Sequence, residues 1–121
     1  MYPIPPNPDL GGIIGSPLIQ ICLGEHDLQF HFDSGSWIGS QATVEHSENG
    51  NLLGTWGDSG LSNSSLQLLL AKSPVQLVVP NPRRLELHFE NSQVLAFLDD
   101  SDQYESFQVY KHGETMPCLV V

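Results

Sequence analysis

The sequence predicts a mainly β (α+β) fold: two similar antiparallel β units from an internal duplication, related by a pseudo-twofold and joined by one short helix. Three observations predict it. Apolar and polar residues alternate in short runs, as in Leu28-Gln29-Phe30-His31-Phe32 and Leu85-Glu86-Leu87-His88-Phe89, which puts one face of each run into a core. Turn residues such as Gly24, Asp33-Ser34-Gly35 and Pro80-Asn81-Pro82 punctuate these runs at hairpin spacing. Finally, the two runs sit 57 positions apart (85 − 28), and residues 16–38 align on 73–95 without a gap, matching Ser-Pro, Leu, His and Phe. Two repeats are too few for a solenoid and suit a single domain in which each unit covers the other's apolar face.

The elements follow in order. Residues 1–8 carry prolines at 3, 5, 6 and 8, so this arm is extended and polyproline-like. Residues 9–15 are a glycine-punctuated entry without the Lys-Ser/Thr ending of a phosphate loop. The first β unit, 16–50, holds a strand at 18–23, a turn at 24–27 and an alternating strand at 28–32. Strands at 36–38 and 42–46 and a closing loop at 47–51 complete it, and Trp37 falls on the core face with Phe30 and Phe32. Residues 52–61 read as irregular, with Gly54, Gly57 and Gly60 around Trp56. Ser62-Asn63-Ser64 caps a short helix over 64–72, whose Leu66, Leu69 and Leu70 share one face, and Pro74 stops it. The second β unit, 73–113, repeats strand, turn and alternating strand, then adds 94–98, an acidic loop at 99–103 and a strand at 107–110, with a last strand at 118–121. The whole of 1–121 is one domain of 13.3 kDa.

Charge and motifs narrow the function. Fourteen acids against four bases give a net charge of −10, which repels phosphate backbones and anionic membranes and suits a basic protein partner. No apolar run approaches the ~20 residues that span a bilayer. The start of the chain lacks a positive n-region, and Cys22 and Cys118 lack metal or CxxC spacing, so the expected location is the cytoplasm. His26, His31, His46, His88 and His112 form no HxH, HxxxH or HExxH motif, so neither a metal nor a cofactor is expected. Asp99, Asp100, Asp102 and Glu105 lack the EF-hand spacing and read as a solvated acidic turn. No Gly-x-Ser-x-Gly elbow marks a serine nucleophile.

Three residues stand out for binding. Trp56, among glycines, is the better surface anchor of the two tryptophans, and Tyr2, Tyr104 and Tyr110 are further aromatic candidates. The duplication puts His31 and His88 at equivalent strand positions. If the two imidazoles meet on one face, they make the alternative reading, a small ligand-binding domain or enzyme with its site between the halves. The uncharged carboxyl end 118–121 and the Pro-rich arm suggest a homodimer formed through unpaired ends.

Over 85–113, the Leu-x-Leu-x-Phe strand, polar turn, apolar strand and Asp102-x-Tyr104-Glu105-Ser106-Phe107 run resemble a family of small bacterial proteins catalogued as a domain of unknown function. The Tyr-Glu-x-aromatic step is its most specific feature. The resemblance implies a bacterial source and a β-rich fold and brings no catalytic residues. Small acidic bacterial proteins of this type also resemble immunity proteins that neutralise basic toxins, by size and charge alone. The function expected is therefore a non-enzymatic protein-binding module, immunity-like or adaptor-like, with an acidic surface.

Overall fold

The computed structural model describes residues 3–10, 12–57, 60–61 (backbone only), 65–100, 105–114 and 117–121. These form eleven strands: β1 (Leu18–Leu23), β2 (Leu28–Phe32), β3 (Trp37–Ser40), β4 (Val44–Glu48), β5 (Asn51–Gly57), β6 (Gly60–Leu61), β7 (Pro74–Asn81), β8 (Arg84–Phe89), β9 (Gln93–Leu98), β10 (Phe107–Tyr110) and β11 (Leu119–Val120). All pair antiparallel, in a five-stranded sheet of order β1-β2-β3-β10-β11 and a six-stranded sheet of order β6-β5-β4-β9-β8-β7. Each sheet thus joins a three-stranded meander from one half of the chain to strands contributed by the other half. β4 leaves the first meander to pair with β9, and β10 leaves the second to pair with β3.

The alternating runs behave as their pattern requires. Leu28, Phe30 and Phe32 point inward from one sheet, Leu85, Leu87 and Phe89 from the other, and all are buried. Phe97 of β9 reaches across, its ring 5.6 Å from Phe30 and 5.6 Å from Phe107. Edge-to-face and tilted contacts of this kind add to simple area burial.

The two meanders share a register. Phe30↔Ile38 between β2 and β3 has its counterpart in Leu87↔Leu95 between β8 and β9, at the offset of 57 (87 − 30). The gapless match does not extend to the first strand. Leu18 faces Phe32 as Pro74 faces Phe89, an offset of 56 (74 − 18), so the two Ser-Pro pairs are not equivalent. The extra residue of the second half is absorbed where the register slips between Val78 and Asn81. At the junction, two reciprocal bonds tie the halves together: Gly15 N–H donates to the Pro74 carbonyl at 2.7 Å, and Ala71 N–H to the Leu18 carbonyl at 2.8 Å. Gly15 and Ala71 both carry positive φ, 87° and 69°.

Four expectations are corrected. The helix over 64–72 is a single 3-10 turn, Ser65–Leu69, in which Leu66 and Leu69 are buried. Spacing by three satisfies both leucines in a 3-10 turn, and the left-handed Ala71 ends it. Ser62-Asn63-Ser64, the expected cap, lies outside the described residues, as do Tyr2, Asp102 and Tyr104. The stretch expected to be irregular around Trp56 is strand β5. Trp37 points outward, because it pairs with outward-facing His31 while its neighbour Ile38 takes the inward position opposite Phe30. The ends are not left unpaired: β11 pairs with β10, Val121 is buried, and Ile4 of the arm is buried with its N–H on the Pro82 carbonyl. Among the described residues no helix is long and apolar enough to cross a membrane.

Candidate functional site

His31 and His88 occupy corresponding places on β2 and β8, but the structure does not bring them together. Each alternates with inward residues, so the two imidazoles lie on the outer faces of different sheets, with the core between them. Both are held by the residue two positions earlier: His31 Nε2 on Gln29 Oε1 and His88 Nε2 on Glu86 Oε1, each at 2.9 Å. His31 heads a stack of rings across three strands, 5.2 Å from Trp37, which lies 4.1 Å from Tyr110. Both faces of the Trp37 ring are thereby covered, and its six-membered ring lies over Gly39, where a Cβ would stand 3.1 Å from it. The stack is a cover for the sheet. Burial pushes the His31 imidazole below its ordinary value.

On the other sheet, His88 belongs to a charged network in which Arg84 bonds Glu86 at 2.6 Å and Glu45 at 2.8 Å. Burial pushes Glu86 up, but the bonds from Arg84 and His88 outweigh it and hold the carboxyl below its ordinary value. Trp56, expected as a surface anchor, is 6% exposed and part of the core.

The residue that sequence reasoning passed over is His46. It stands on β4 one alternation from Val44, the inward phase of the strand, and is 1% exposed. That phase was the signal that could have found it. Gln93 sends its amide N–H to Glu48 at 3.1 Å, so its Oε1 accepts from His46 Nε2–H at 2.7 Å. His46 Nδ1 is left to accept the Ser65 hydroxyl, also at 2.7 Å. Burial holds the imidazole below its ordinary value, against smaller opposing effects of Gln93 and Glu48, so it is neutral at pH 7. A serine facing a neutral imidazole resembles a general-base pair. However, the space beside it, lined by Val44, Gly54, Trp56 and Leu66, has no room for a water molecule. The network instead ties the 3-10 turn to β4 and β9. Among the described residues, no three His, Cys, Asp or Glu side chains group to hold a metal.

The remaining feature is an apolar face at the junction of the halves. Ile14 and Leu70, which precede the two left-handed residues, are 42% and 40% exposed. Ile19 and Val75, which follow Leu18 and Pro74, are 56% and 58% exposed. Residues 10–23 and 66–79 carry one charged side chain between them, Lys72. Acids stand around this face: exposed Asp33 and Glu90 donate their backbone N–H groups to the Pro17 and Ser73 carbonyls, and Glu25 lies in the β1–β2 turn. From the face a groove of about 470 Å³ runs between β1 and the 3-10 turn, lined by Ile19, Gln20, Ile21, Leu23, Leu66 and Leu70. Comparison with family models, curated proteins and solved structures returns no match, so the functional reading rests on this geometry.

Proposed function

We propose that the protein is a non-enzymatic protein-binding module, immunity-like or adaptor-like, built from one duplicated domain with a pseudo-twofold at the Gly15–Pro74 and Ala71–Leu18 bonds. The apolar face at that junction is its binding surface. The observation that carries this reading is the exposure of Ile14, Ile19, Leu70 and Val75 together, in a chain whose other large apolar side chains mostly fill one core. An apolar centre with a polar, charged rim is the anatomy of a protein interface. The acidic rim and the net charge of −10 favour a basic partner and speed its approach. The duplication is supported by the shared register of the meanders and by the paired positive-φ residues, Gly35 with Ser92 as well as Gly15 with Ala71.

Photo-crosslinking in the source cells tests the reading. A photoreactive residue at Leu70 or Val75 should give a discrete protein adduct, and one at exposed Gln41 should not. Adducts should vanish when Ile19→Asp is added. Equal labelling from Gln41, or no adduct from either face position, would refute it.

A further inference from the structure

Resting on that reading, we infer that the partner contributes an extended, basic segment with alternating aliphatic side chains, which adds to β1 as an extra strand and seats its side chains in the groove. β1 and β7 are the two long edge strands, corresponding elements of the two halves. They are not equally open. β7 contains Pro74 and Pro80, which have no N–H to give, and Pro is the usual guard of a sheet edge. Its far end is also engaged: the Pro-rich arm bonds the β7–β8 turn through Ile4 N–H to the Pro82 carbonyl at 2.8 Å, with Ile4 3% exposed. Val79 there packs against the core.

β1, Leu-Ile-Gln-Ile-Cys-Leu, has no proline and no charge. Among the described residues, its only backbone bonds beyond β2 are those of Leu18 with Ala71 and Lys72. Leu23, at the end corresponding to Val79, is 63% exposed. At the β7–β8 turn the arm thus supplies a backbone donor and a buried aliphatic anchor, Ile4, and among the described residues no such segment meets the corresponding end of β1. The charge of the segment added to β1 follows from its surroundings, since Glu25, Asp27 and Asp33 border β1 and Lys72 is the single base beside it. Main-chain bonds supply affinity in such strand addition, and side-chain pockets supply specificity.

The test uses the full ¹⁵N-labelled chain and the peptide Lys-Val-Lys-Ile-Lys-Val-Lys, with Glu-for-Lys and Pro-interrupted versions as controls. The basic peptide should shift the amides of residues 19–23 and 65–70, with a Kd on the order of 100 μM. Both controls should bind at least tenfold more weakly. Leu23→Lys and Leu70→Lys, both at exposed positions, should each weaken binding about tenfold, and Gln41→Lys, at an exposed position away from the face, less than twofold. Shifts confined to β7 or an outer sheet face, or equal binding of the acidic or Pro-interrupted peptide, would overturn the inference. Adducts at Leu70 and Val75 with an unmoved β1 would leave the binding reading standing and remove strand addition alone.

Discussion

Replacing His46 by Leu tests whether its network is architectural. Leucine approximates the ring's volume, so the main loss is polar. Two bonds of 2.7 Å disappear, but their consequences differ. Ser65 is partly exposed and can turn its hydroxyl to water. Gln93 is 5% exposed, and its Oε1 would be left in the interior without the imidazole N–H. One stranded buried acceptor costs about 1–3 kcal/mol, so H46L should lose about that much and not twice it. Replacing both partners, H46L/Q93L, removes the stranded group, and Glu48, partly exposed, can bond water in place of the amide. The double variant should therefore recover at least half of the loss. Urea unfolding at pH 7.5, followed by tryptophan fluorescence, measures the parent, H46L, Q93L and the double variant. An H46L variant as stable as the parent, or a double variant whose loss is the sum of the two single losses, would refute the reasoning.

Stability should also depend on pH through the same residue. His46 and His31 both have folded pKa values below the ordinary 6.5, so the folded chain binds fewer protons than the unfolded one. Their contribution is complete above pH 6.5 and is lost as the pH falls toward the folded values. Thermal melts from pH 7.5 to 5 should show this decline, with a shallower slope in H46L. Glu86, held below 4.5, adds its loss only at still lower pH. Phe97→Ala should cost about 3–5 kcal/mol, because the ring bridges the sheets through Phe30 and Phe107. Against a total of roughly 5–15 kcal/mol, that removes between about a fifth and all of the stability and moves the midpoint of denaturation to markedly lower urea. An unchanged midpoint would argue against the packing described. Ala71→Gly relieves a left-handed backbone at 69° and should raise stability by about 0.5–1 kcal/mol, and a fall in melting temperature would contradict it.

The local pattern carried much of the fold. Period-two alternation over 28–32 and 85–89 placed six buried residues correctly, and turn residues placed their hairpins. What it could not carry was non-local. Nothing in 44–48 says that β4 pairs with β9 in the other sheet, because sheet membership is decided by packing across the whole chain. Gly54 and Gly57 concealed β5, since glycine normally weakens a strand. Trp37 was misplaced because its phase depends on the hairpin register, in which Phe32 N–H bonds the Ser36 carbonyl and so sets Trp37 opposite His31. The apolar face is written in the sequence as two nearly charge-free segments, but it becomes a surface only where the Gly15–Pro74 and Ala71–Leu18 bonds bring them side by side.

The most direct measurement of the central claim is amide hydrogen exchange of the full chain, alone and with the partner isolated through the Leu70 crosslink. Binding should slow exchange in residues 19–23 and 65–70 and leave the strands β3 and β9 at the centres of the sheets unchanged. Protection confined to the outer faces, around Trp37 and Tyr110 or around Arg84 and Glu86, with β1 exchanging as in the free protein, would contradict the account.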